Sequence, residues 1–142
     1  MRAGVIVRWL VGCFVLLPVG CGGAKVKTHP VQGKVTIQDG DVAILTGSHV
    51  ELMAQDGAAE KRSSGVIAAD GSFVLKTLYE GEVVAGAPEG EYKARIILGD
   101  PSDENVPKRQ GNPVHPRYMQ FETSGLAMKV PSGEYNLSLS KK

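Results

Sequence analysis

Cysteine is nearly absent from this chain of 142 residues: only Cys13 and Cys21 occur, both close to the N-terminus. No disulfide framework is available to staple the rest of the chain, so the body must hold by apolar burial and backbone hydrogen bonding. Aromatic residues are few, at 6%, and the single tryptophan, Trp9, also lies near the start, which argues against a stacking platform for glycans. No sign of charge dominates: the formal charge is +1 and the cations are interspersed with carboxylates rather than gathered into a block. That distribution excludes the phosphate-neutralising stripe of a nucleic-acid binder, so nucleic acid is not expected as a partner. Nor is there an apolar run of the roughly 20 residues needed to cross about 30 Å of hydrocarbon. Residues 9–19 come nearest, and Arg8, Pro18 and a cluster of glycines bound them.

The N-terminal residues have an order of their own. Arg2 and Arg8 precede the apolar residues 9–19, and Gly20-Cys21-Gly22-Gly23 comes next. Basic, apolar and small-residue regions in that sequence make a secretory signal, expected over residues 1–20. Leu17-Pro18-Val19-Gly20-Cys21 further resembles the lipobox of bacterial lipoproteins. The resemblance implies that the Cys21 thiol takes a diacylglyceryl group, that the chain is cut before it, and that Cys21 becomes the lipidated N-terminus. An ordinary signal peptide with an incidental cysteine is the competing reading. Removing residues 1–20 leaves 14 basic against 15 acidic residues, a near-neutral surface. With about 0.8 kcal/mol from each buried methylene, two acyl chains suffice for stable anchoring. Residues 21–28 then form a lipidated tether, and seven extended residues reach at most ~25 Å, holding the domain close to a membrane.

From residue 29 to residue 142 the pattern changes to short alternating runs separated by turn residues, which marks strands half-buried against a core. Val31, Gly33, Val35 and Ile37 share one face; His49 to Ala54 alternates likewise; residues 65–68 and 72–78 flank Asp70-Gly71 as a hairpin. Pro88-Glu89-Gly90-Glu91-Tyr92 and Pro131-Ser132-Gly133-Glu134-Tyr135 nearly repeat each other, each a tight turn from which a tyrosine opens a strand. Those tyrosines are expected to be structural, burying a ring while the hydroxyl finds a partner near the turn. With residues 126–130 the count is seven, and the expected fold is all-β, an antiparallel seven-stranded β-sandwich of immunoglobulin-like type. Residues 42–45 read either as an eighth strand or as a buried connection.

Three stretches in order carry a resemblance across residues 30 to 140: Gly47-Ser48-His49-Val50-Glu51-Leu52, then Asp70-Gly71-Ser72-Phe73-Val74-Leu75, then Pro88-Glu89-Gly90-Glu91-Tyr92. Together they resemble the carboxypeptidase regulatory-like, transthyretin-like domain, with residues 124–126 opening the penultimate strand. Ala68-Ala69 stands where a Thr-Asp pair is usual, and residues 79–87 form an extra segment. With the leader, the chain is similar to small bacterial lipoproteins built from one such domain, which implies a bacterial cell-envelope location.

No credible catalytic constellation emerges, and the chain is expected not to be an enzyme. There is no G-x-S-x-G, and His29, His49 and His115 lack the i+2 or i+4 partners of a zinc site. Purine-pathway hydrolases of the wider transthyretin-like fold end in Tyr-Arg-Gly-Ser, whereas this chain has Tyr135-Asn136-Leu137-Ser138. Asp100, Asp103 and Glu104 lack the spacing of a calcium loop. No cofactor or metal is expected. The remaining place for function is the proline-rich loop 99–120, since long irregular segments in small domains tend to be functional or unordered. Its Lys108, Arg109, His115, Arg117 and Tyr118 are the candidate binding residues, against the alternative of a mobile or merely packing loop. The expected function is a structural or protein-binding module at the cell envelope, held to the membrane through lipid on Cys21. A ligand- or carbohydrate-binding module using loop 99–120 is the alternative.

Overall fold

A computed structural model describes residues 26–58 and 62–141. These residues form strands and two 3-10 turns, with no α-helix. The strands are β1 (Thr28–His29), β2 (Gln32–Ile37), β3 (His49–Ala54), β4 (Ser63–Val66), β5 (Ser72–Val74), β6 (Lys76–Tyr79), β7 (Glu82–Ala85), β8 (Ala87–Pro88), β9 (Gly90–Ile97), β10 (Leu126–Val130) and β11 (Asn136–Leu139). They assemble into a six-stranded sheet, β10-β9-β3-β4-β6-β7, a three-stranded sheet, β11-β2-β5, and the short pair β1-β8.

Period-two alternation determines which residues go inside. Val35, Ile37, Leu137 and Leu139 from the smaller sheet and Val50, Leu52, Tyr92, Ala94 and Ile96 from the larger one all join a single buried cluster. The all-β class thus stands, with two main sheets sharing one core in the manner of a sandwich. Each of the seven expected runs carries a strand.

Besides the added short pair β1-β8, three features differ from the expected antiparallel seven. The run 72–78 is interrupted at Leu75: β5 pairs with β2, while β6 pairs with β4, so one stretch of chain turns the corner between the sheets. Phe73, Leu75 and Thr77 stay buried throughout, and the alternation therefore continues through the change of partner. Residues 79–87 contribute a further strand, β7, joined to β6 by the two-residue turn Glu80-Gly81 with both φ angles positive, at 49° and 82°. That geometry gives the twist a tight hairpin requires. Finally, β11 runs parallel to β2, with Asn136 opposite Lys34 and Leu139 opposite Ile37. Parallel neighbours need a long connection, and here nearly the whole domain lies between them.

Residues 42–45 are a connection: a 3-10 turn whose second amide, that of Ala43, is capped by the Asp41 carboxylate at 2.9 Å, with Leu45 buried beneath. The two tyrosines act alike. The Tyr92 hydroxyl donates to the Pro88 carbonyl at 2.7 Å, and the Tyr135 hydroxyl accepts from the Ser132 amide at 2.7 Å, so each ring fills the core and ties down its own turn.

Candidate functional site

Cys21 and the leader lie outside the described residues. Loop 99–120 is described in full, and its composition explains its course. Four prolines deny it a ladder of backbone bonds, so it is fixed by separate apolar anchors instead. Val106, Val114 and Tyr118 are all buried, Val114 and Tyr118 within the main core. The exposed stretch ahead of Val106 is built from self-capped turns, in which Asp100 accepts from the Ser102 amide at 2.8 Å and Asp103 from the Asn105 amide at 2.9 Å. The amide and hydroxyl of Ser102 hold the Asp100 carboxyl below the ordinary carboxylate range.

The five candidate side chains do not converge on one point. Lys108 is exposed at the surface. Arg109 folds back onto the domain, donating to the Gly99 carbonyl at 2.5 Å and to the hydroxyl of fully buried Ser48 at 3.2 Å. His115 caps the second 3-10 turn, Pro116–Met119, its Nδ1 accepting from the Arg117 amide at 3.1 Å. Arg117 lies over the Tyr118 ring, 4.6 Å from its centroid, and donates to its hydroxyl at 2.6 Å. The Ser140 amide also donates to that hydroxyl, at 3.2 Å, while the His115 amide reaches the Ser140 carbonyl at 2.9 Å. Burial alone raises the Tyr118 phenol, but the donors from Arg117 and Ser140 outweigh it and leave the group below the ordinary tyrosine value. His115, Arg117 and Tyr118 therefore form one cluster that latches the loop to the end of β11, while Arg109 latches it near the start of β3.

A cleft of about 480 Å³ does border this loop, on a different side. Asp41, Ala43, Ile44, Pro107, Pro113 and Lys141 line it, and none of the five candidate side chains does.

The outer face of the six-stranded sheet carries a second polar cluster that the sequence does not announce. Register places Glu51 of β3 between Arg95 of β9 and Ser64 of β4. Arg95 donates from two nitrogens to the same Glu51 oxygen, each at 2.6 Å, and its guanidinium stacks 4.5 Å from the centre of the Phe121 ring. Arg62 adds a looser contact to Glu51 at 3.9 Å. Glu51 and Arg95 are 44 positions apart, so only strand register could have paired them. The arrangement clamps β3, β9 and the segment that carries Phe121.

Among the described residues no group of three or more His, Cys, Asp or Glu side chains is arranged to hold a metal ion, and no helix is long and apolar enough to cross a membrane. No family model, curated protein or solved structure matches this chain.

Proposed function

We propose that the chain is an exported, lipid-anchored, non-catalytic β-sandwich of the carboxypeptidase regulatory-like, transthyretin-like kind, serving as a structural or protein-binding module at the bacterial cell envelope. The observation that carries this reading is the place of Cys21: a cysteine directly after glycine, at the end of a basic-then-apolar leader, in a chain whose other cysteine lies inside that leader. The thiol supplies the nucleophile that acylation needs, and the small neighbours leave the backbone accessible. Two features of the body support it. A continuous core and a near-neutral surface suit a domain exported without disulfides, and the polar groups of loop 99–120 are spent largely on internal contacts.

A second reading, a small-ligand module, draws on the cleft beside Pro107 and Pro113, where Asp41 and Lys141 supply one charge of each sign. It relocates the ligand to a different side of the loop from Arg117 and Tyr118.

Fractionation tests the anchor. Wild-type protein is expected in the membrane fraction after a high-salt wash, and a Cys21→Ala variant is expected to lose processing at that site. Wild-type protein released by salt alone contradicts the proposal.

A further inference from the structure

The described residues expose few large apolar side chains, and four of the five lie on one patch: Val66 of β4 at 55% exposure, Val74 of β5 at 50%, Leu78 of β6 at 63% and Val83 of β7 at 67%. They line a groove of about 490 Å³ with Lys76 and His49 at its polar margin. Leu78 and Val83 are direct cross-strand partners and so project from the same face. Gathered apolar exposure of this kind marks a surface that meets something other than water.

The chain's own N-terminal path points to what it meets. Thr28 opens β1, and its hydroxyl donates to the Ala85 carbonyl at 2.8 Å, so the chain enters the domain beside β7. Val83 is two residues along that strand from Ala85, or about 7 Å. The seven residues from Cys21 to Thr28 span up to ~25 Å, several times that separation. An acyl chain on Cys21 thus enters the bilayer within reach of the patch.

We propose that this patch is a membrane-docking face, by which Val66, Val74, Leu78 and Val83 lie against the lipid surface that receives the anchor. The proposal rests on the lipid-anchored reading and adds an orientation to it. Its depth is set by backbone chemistry. β7 is the edge of the six-stranded sheet, and the outward amides and carbonyls of an edge strand find no partners in hydrocarbon, which confines the face to the headgroup level. Lys76 in the groove, with Lys27 just ahead of β1, places cations where anionic headgroups lie, while exposed Glu80 and Glu82 at the hairpin end stay in water. A second copy of the chain is the weaker occupant, because four side chains fall short of the roughly 800 Å² per partner that a standard interface buries.

The test uses acylated full-length protein processed in its host and reconstituted into phosphatidylethanolamine–phosphatidylglycerol vesicles. A single introduced cysteine, Val83→Cys or, as control, Thr36→Cys at an exposed position of β2, carries an environment-sensitive fluorophore. Quenching by a lipid-borne nitroxide is expected to be at least about two-fold stronger at position 83 than at position 36, with emission moved to shorter wavelength. Equal, water-like signals at both positions on vesicles that carry the protein overturn the docking face and leave the anchor standing. A shifted signal at position 83 in lipid-free detergent that disappears as the total protein concentration is lowered assigns the face to a second copy and likewise overturns it. Protein that lacks acyl mass and fails to float with the vesicles removes both readings together.

Discussion

A phenol that accepts hydrogen bonds from a guanidinium and from a backbone amide gives up its proton more readily than one in water, and Tyr118 is in that position. Tyr92 is in the opposite one: burial, with the nearby Asp56 carboxylate adding to it, raises its phenol, and its proton is committed to the Pro88 carbonyl. Proton linkage fixes the sign of each effect. Above its lowered value and up to the ordinary tyrosine value near 10, Tyr118 binds fewer protons folded than unfolded, so its contribution to stability appears as pH rises through that window and is absent below it. Tyr92 binds more protons folded than unfolded from about pH 10 upward, so its contribution is complete below that point and is lost as pH rises toward its elevated value. Tyr118→Phe is therefore expected to remove the early component of an absorbance titration of the tyrosines, and Tyr92→Phe the late one. Urea unfolding between about pH 9 and 11 should decline less in Tyr92→Phe than in wild type. At neutral pH, Tyr92→Phe is expected to cost about 1 kcal/mol through its lost hydrogen bond.

Thr77 makes a sharper case at the same scale, because both of its hydrogen bonds are buried. Its one proton goes to the Gly86 carbonyl at 2.7 Å, so the Ser63 hydroxyl, 2.7 Å away, must be the donor between the two. Thr77→Val strands that donor and the Gly86 carbonyl and is expected to cost about 1–3 kcal/mol in denaturant unfolding. The double change with Ser63→Ala should cost less than the sum of the single changes, as contacting partners do.

At the level of elements, β2 is the strand on which the smaller sheet depends, since β11 and β5 pair with it from either side. Gly33 in its middle leaves no space for a side chain: a Cβ there overlaps the Tyr135 carbonyl oxygen and the Phe73 ring. Gly33→Ala is expected to destabilise by about 2–3 kcal/mol, read as a lower urea midpoint, because backbone on one side and a packed ring on the other must both shift. Gly57→Ala, where a Cβ meets no atom within 4 Å, controls for the loss of glycine flexibility itself, although its φ of 76° adds a local cost.

The same elements show how much the sequence discloses. Alternating runs such as 49–54 and 126–130 could be read directly because one face of each is buried, and the tyrosine turns because Pro, Gly and Tyr each have a fixed role there. β7 was hidden for a local reason: Val83-Val84 breaks the alternation, and Glu80-Gly81 places a glutamate where Asn or Asp usually accepts a positive φ. The sheet change at Leu75 was hidden for a different one, since inward residues keep the same period whichever sheet supplies the neighbour. The parallel pairing of β11 with β2 joins the two ends of the domain, Asn136 to Lys34, and no local pattern encodes it. In loop 99–120 the candidate cations were legible as residue types. Their partners, the Gly99 carbonyl, Ser48 and the Tyr118 hydroxyl, were not, because a loop without periodicity gives no directions to its side chains.

At the scale of the whole molecule, the described residues form a single-core body whose first strand, β1, lies beside an apolar edge. On the proposed anchoring, orientation is set by where the chain enters that body. On the proposed docking, the six-stranded sheet presents its β7 edge toward the lipid, and the loop 99–120 latches to β3 and β11 instead. The outer-face clamp of Glu51, Arg95 and Phe121 matters at this scale because it joins the central strands to the segment leading into β10. Arg95→Ala is expected to lower stability by about 1–2 kcal/mol, through the lost charged pair and the ring contact.

Everything about location turns on Cys21, and intact mass of the mature protein from native membranes reads it directly. Lipid anchoring predicts a chain that begins at Cys21 and carries the added mass of two or more acyl groups, while a Cys21→Ala variant retains its leader or is cut elsewhere without acyl mass. A wild-type N-terminus at any other residue, or one at Cys21 without lipid, contradicts it.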